Sequence, residues 1–188
     1  MKVAIGLVLL LSSGCLESEE QDVRILREQG DPAILVLEEI NFYSDQMNSA
    51  EVRKDFEKLI GNWRSKEALS DNKDDGFVIK ARELLTRDGK IVFRQTGILQ
   101  DLASVDGFKF EDSRITWTLE SQDEQIVQAN GKVLSTVPPS VTWPSDAPEI
   151  RLRLRRPLRE SFKTSQPQMM QLLADYLAAQ ARIQGAGQ

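Results

Sequence analysis

Hydrophobic and polar positions along this chain change period twice. Between Asn48 and Gly61, the apolar residues Val52, Phe56, Leu59 and Ile60 recur at helical spacing, while Arg53, Lys54, Glu57 and Lys58 fill the other face. Asn48 with Glu51 three residues on makes a variant capping box, and Gly61 is a natural stop, so an entry helix is predicted over about 49–60. From Asn62 the period moves toward two. Strands are predicted over 62–69, 77–86, 91–98, 108–110, 115–119, 125–129, 132–136 and 149–156. Asp88-Gly89 and Asn130-Gly131 are tight-hairpin signals. Pro138, Pro139, Pro144 and Pro148 predict a long irregular loop around Trp143. After the last strand, Ser165-Gln166-Pro167 starts a C-terminal helix over about 167–184, with Met169, Met170, Leu173, Tyr176, Leu177 and Ile183 as its apolar stripe.

The chain ahead of the entry helix is less decided. Asp31-Pro32 reads as a helix start, but the apolar run from Ile34 to Tyr43 is rich enough in β-branched residues for a strand. Residues 15–30 are polar and acidic, with Val23, Ile25 and Leu26 as their apolar cluster, and read as a tether. The pattern implies a mainly β fold with flanking helices (α+β), antiparallel, of about eight short strands, in a single domain over 31–188. No alternation of strands with helices points to a parallel sheet.

Composition narrows the function. Hydrophobic residues make up 40% of the 188 and charged residues 28%, which suits a globular domain. A net charge of -5 offers no basic excess for nucleic-acid phosphates. The chain has no histidine, so the usual general base and the usual zinc ligand are missing together. Ser70-Asp71-Asn72-Lys73 has the Ser-x-x-Lys spacing of some serine enzymes, but in a polar turn and without a Lys-Thr-Gly partner. Asp71, Asp74, Asp75 and Gly76 suggest a calcium loop, yet Lys73 occupies a ligand position and Arg82 stands where the closing Glu belongs. The expectation is a non-enzyme with no cofactor and no metal.

The one strong charge cluster is Arg151, Arg153, Arg155, Arg156, Arg159 and Lys163. It reads either as a solvated strand face paired with carboxylates or as an anion- or ligand-binding surface, with Arg151, Arg153 and Arg156 as the candidate contacts.

At the N-terminus, Met1-Lys2 precedes an apolar run from Val3 to Leu11, too short to cross a hydrocarbon core of about 30 Å. Ser12, Ser13, Gly14 and the lone cysteine, Cys15, follow. This resembles a bacterial lipoprotein signal peptide ending in a lipobox, with Ser12 where that family usually has Leu. The resemblance implies that residues 1–14 are removed and that Cys15 carries the lipid. It also implies a membrane-anchored protein of the cell envelope. Leu16, rather than Asp, after the cysteine implies the outer membrane if the source is Gram-negative.

A helix ending in Gly61-Asn62-Trp63, with Trp63 opening a series of antiparallel strands, is similar to the lipocalin and wider calycin pattern. That resemblance implies an up-and-down barrel closed at one end by Trp63, with Arg155 or Arg156, and next Arg153, packed over the indole and a helix after the last strand. It would make the protein a binding or interaction module that holds a small apolar or amphipathic ligand or an envelope partner. The other expectation is a structural or assembly lipoprotein with a filled barrel.

Overall fold

The computed structural model of the chain describes residues 16–28, 32–64, 77–105, 107–119 and 123–185. Ten strands and two α-helices lie among them. The strands are β1 (Leu16–Leu26), β2 (Ala33–Ser44), β3 (Phe77–Arg87), β4 (Lys90–Leu99), β5 (Phe108–Glu111), β6 (Arg114–Thr118), β7 (Gln125–Ala129), β8 (Lys132–Thr136), β9 (Pro139–Pro144) and β10 (Glu149–Arg155). The helices are α1 (Ser49–Arg64) and α2 (Phe162–Gly185). The strands form a six-stranded sheet, ordered β3-β4-β2-β1-β10-β7, and a four-stranded sheet, ordered β5-β6-β9-β8. Every pairing is antiparallel.

The mainly β, antiparallel architecture with flanking helices is as expected. The single up-and-down barrel is not found, because the described strands divide into two sheets. The chain leaves the large sheet after β4, builds β5 and β6, returns for β7, leaves for β8 and β9, and comes back at β10. An up-and-down barrel would need consecutive strands to be neighbours throughout.

Both apolar cores lie on one face of the large sheet. β4 pairs with β2 in unbroken register, so Ile91, Phe93, Gln95, Gly97 and Leu99 share a face. Leu99 packs with Val23, Ile25, Leu35 and Leu37, and with Ile115, Trp117, Val141 and Trp143 of the small sheet. Ile91 and Phe93 pack instead with Leu16 and Phe42, with Val52, Phe56 and Leu59 of α1, and with Met169 and Leu173 of α2. The small sheet and the helices therefore sit side by side on the large sheet. β2 serves both cores because Asn41 takes a positive φ of 64°. The alternation shifts there, so that Leu37 and Phe42, five residues apart, point the same way.

Residues 16–26 correct the tether reading most sharply. They form β1, an inner strand paired with β2 on one side and β10 on the other. Glu20 and Asp22 alternate with Gln21, Val23 and Ile25, and the period-two pattern is satisfied only once both neighbours are in place. The undecided run 34–43 is likewise strand β2. The loop expected around Trp143 is strand β9, with Pro139 and Pro144 at its first and last positions. A proline that gives up a ladder donor there does the least harm. The turn before β8 is held by Asn130: its Oδ1 accepts from Trp143 Nε1 at 2.7 Å and from the Arg151 amide at 2.8 Å. A Cβ on Gly131 would lie 2.5 Å from Trp143 Nε1, so only glycine fits. The hairpin expected at Asn130-Gly131 does not form, because β7 pairs with β10 in the large sheet and β8 with β9 in the small one, so this turn carries the chain between sheets. The hairpin expected between β3 and β4 does form: Asp88 and Gly89 have φ of 53° and 72°, as a type I′ turn requires.

The helix boundaries also move. Asn48 caps α1 as expected, its Oδ1 accepting from the Ala50 amide at 2.8 Å. Gly61 does not end that helix, which runs through Asn62 and Trp63 to Arg64. The predicted strand from 62 thus begins as helix, and its remainder lies outside the described residues. Tertiary contact overrides the glycine: Trp63 packs edge-on against Tyr176 at 6.3 Å, and its indole N–H donates to the Arg82 carbonyl at 3.4 Å. Helix α2 starts five residues before Pro167. Phe162 packs against Tyr43 at 5.2 Å and Ser165 Oγ donates to the Ser44 carbonyl at 2.6 Å, so contacts with β2 hold the first turn despite the donor missing at Pro167.

Gly61 is exposed, and a Cβ there would meet nothing within 4 Å. Gly61→Ala should therefore raise stability by about 0.5–1 kcal/mol. Chemical denaturation of the two proteins checks this; a loss would mean that the helix does not run through residue 61.

Candidate functional site

The arginines singled out by charge lie on β10. Ile150, Leu152 and Leu154 are buried in the core against the small sheet, so Arg151, Arg153 and Arg155 occupy the opposite face of the large sheet. They meet carboxylates of β1. Arg151 donates to Asp22 at 2.6 and 3.2 Å. Arg155 donates to Glu20 at 2.6 and 3.1 Å, and Arg153 donates to the same carboxylate from its other side. On β2, Glu38 accepts from Arg87 at 2.7 and 3.2 Å and from Arg94 at 2.8 Å, with Arg24 3.8 Å away. Lys90 and Glu19 at 3.3 Å continue the ladder.

The layering is uneven. The Glu20, Asp22 and Glu38 side chains are only 1–3% exposed, whereas the arginines above them remain 28–49% exposed. The carboxylates are the floor and the guanidiniums the lid. Burial pushes Glu20 up, but hydrogen bonds from Arg155 and Arg153 outweigh it and hold the carboxyl below its ordinary value. The balance is the same at Glu38, where Arg87 and Arg94 prevail over burial. Six guanidiniums thus stand over three buried carboxylates, and this surplus of donors is the main chemical property of the face.

Arg156 goes the other way. Alternation carries it to the core face, where it pairs with Glu124 at 2.9 Å and lies 3.6 Å from Glu39. Glu39 also accepts from Gln21 Nε2 at 2.8 Å and from the Ser18 hydroxyl. On the same face, across from Leu37, is Gln95, which is 1% exposed and whose Oε1 has no partner. These groups form a polar seam between the two apolar cores. Burial pushes Glu39 above the usual carboxylate value, offset only in part by Arg156 and the two hydrogen bonds.

No family model matches the chain. No curated protein and no solved structure matches it either. Any reading of function therefore rests on this geometry and on the sequence itself.

The expected barrel-closing motif does not assemble. Trp63 belongs to the core around Ile91 and Phe93, while Arg155 pairs with Glu20 on the opposite face of the sheet. Gly61 is exposed on α1, away from both. The separation follows from the strand order, which puts β10 beyond β1 and points its arginines away from the helices. Arg151 and Arg153 are brought together as expected, and Arg156 is not with them. Cys15, the signal peptide, Ser70–Lys73 and the aspartates of the calcium-like loop lie outside the described residues. Among the described residues no group of His, Cys, Asp or Glu could hold a metal ion.

Sequence reasoning missed Glu20 and Asp22, which fell within the expected tether, and did not single out Glu38 and Glu39. A signal existed. Glu20, Asp22 and Arg24 alternate with Gln21, Val23 and Ile25 at the same period as Arg151, Arg153 and Arg155 with Ile150, Leu152 and Leu154. The two charge patterns are complementary, but only the pairing of β1 with β10 gives that complementarity a meaning.

Stability should follow these pairs with pH. Glu20 and Glu38 have depressed folded pKa values, so their contribution is present above the ordinary 4.5 and is lost as pH falls through their folded values. Glu39 is raised, so its ionisation works against folding at neutral pH. Glu38→Gln should lose about 2–3 kcal/mol at neutral pH, near the low end for a broken buried pair because its arginines stay partly exposed. The same variant should lose less stability than the parent between pH 5 and pH 3, roughly the range over which carboxylates titrate. Denaturant midpoints across pH measure both effects; an equally steep acid loss in the variant would rule out Glu38 as a source of it.

Proposed function

We propose that this chain is a lipid-anchored cell-envelope protein that works as a non-catalytic binding or interaction module. The observation that carries the reading is the position of the lone cysteine. Cys15 closes an apolar run and stands one residue before β1, whose first residue, Leu16, is buried. A lipid on Cys15 would then hold the six-stranded sheet against the bilayer with no tether between them. The several acyl chains of a bacterial lipoprotein anchor stably where one alone does not. In a Gram-negative source the outer membrane is the proposed location. The sequence has no histidine to serve as the usual general base, which supports the non-catalytic reading.

A small apolar ligand held inside a lipocalin-like barrel is the weaker form of this proposal. Phe77, Trp117 and Trp143 pack between the two sheets, where such a ligand would lie. A specific observation supports the other reading, a structural or assembly role. Strand β8 pairs only with β9 among the described strands and carries Val133 and Leu134 at 44% and 53% exposure. An edge strand of that kind is a template for pairing with another chain.

Labelled palmitate should enter the protein in bacterial cells. Cys15→Ser should abolish the label and move the protein out of the membrane fraction. An unlabelled parent protein, with Cys15→Ser still in the membrane fraction, would retire the lipid anchor.

A further inference from the structure

We infer that the arginine-bearing face of the six-stranded sheet docks on an anionic phospholipid surface; the inference rests on the lipid-anchor reading and names the partner of that anchored module. The face is built for it in two parts. At one end of the strands, Leu26, Ile34, Ile98 and Val78 are successive partners across β1, β2, β4 and β3, and so form one apolar row on this face. Leu26 and Ile34 are 39% and 42% exposed. Beside that row lies the guanidinium layer, with its carboxylates buried beneath it. An incoming phosphate meets arginine N–H groups first and finds the carboxylate oxygens already engaged. Rim groups add Lys90 and the carboxylates Glu19, Glu83 and Glu149, and the face still stays net positive in a chain of net charge -5.

The geometry also suits an anchor at Cys15. β1 spans roughly 33 Å along this face at 3.3 Å per residue. Cys15 would lie at one end of the strand and the exposed Leu26 at the other. A sheet lying flat lets the lipid chains, the arginine layer and the apolar row reach one membrane together. Arginines then contact headgroup phosphates, and Ile34 and Leu26 enter the interface.

The test uses the mature chain, residues 15–188, carrying Cys15→Ser, which removes both the lipid and the apolar run Val3–Leu11 and leaves the face. Flotation is compared on vesicles of phosphatidylcholine and vesicles of phosphatidylcholine with phosphatidylglycerol. Binding should favour the anionic vesicles and weaken with added salt. Arg24→Gln with Arg155→Gln leaves Glu38 its Arg87 and Arg94 and leaves Glu20 its Arg153, so every buried carboxylate keeps a partner. That pair should lower the anionic preference by roughly five-fold per arginine. Ile34→Thr touches no ion pair and should weaken binding to the anionic vesicles as well. Equal binding to both vesicle types would overturn the inference. So would an anionic preference that survives both variants, or a stable dimer that ignores vesicles and so assigns the face to a second copy. Palmitate labelling reads the anchor and this flotation reads the face, so either can fail without the other.

Discussion

Three carboxylates with almost no exposure, on the face of the large sheet away from both cores, constrain the rest of this structure. An ionised Glu20, Asp22 or Glu38 that close to the backbone would be costly without a cation over it. The cations come from β1 itself, β3, β4 and β10, strands spread over most of the sequence. The central strands are therefore tied together twice, by backbone ladders and by arginines that reach diagonally across them. A register slip of one residue on β1 would turn Glu20 and Asp22 into the apolar core and Val23 and Ile25 out of it.

That arrangement follows from placing both cores on one face. The small sheet and the helix pair lie side by side, so the large sheet needs apolar residues along the whole of that face and interrupts them only at the seam around Glu39 and Gln95. The other face is covered by long side chains. Arginine suits this, because its stem covers apolar surface while its planar head satisfies two carboxylate oxygens at once. The same layer leaves more donors than the floor can use. A surface that began as a structural requirement thereby has the chemistry to meet an external anion.

Much of the fold was legible from local pattern. Strands β3 to β8 and β10, the Asp88-Gly89 hairpin, and the core of each helix follow from period, turn residues and capping at Asn48; the turn at Asn130-Gly131 was legible too, but not that it joins two sheets instead of closing a hairpin. The errors share a cause. Gly61 and Pro167 were read as boundaries, yet Trp63 on Tyr176 and Phe162 on Tyr43 carry helix past both. Strand β9 was hidden by its prolines, which sit at its two ends. Strand β1 was hidden by its acids, which looked like solvated linker because their arginines lie about 130 residues away in sequence. For the site, the arginine cluster was evident from Arg151 to Arg156, but not that Arg156 would face away from the others.

The sequence by itself determined the mainly β class, the alternation that puts Arg151, Arg153 and Arg155 on one side of a strand, and the presence of a single cysteine after an apolar run. Those are local properties, set by side-chain period and by the chemistry of neighbouring residues. Only the tertiary structure decided that residues 16–26 are an inner strand, that two sheets form rather than one barrel, and that Trp63 and Arg155 lie on opposite faces. Each of these depends on which strands become neighbours. That is decided by the summed burial of two separate cores and by charge pairs that no short window of sequence contains.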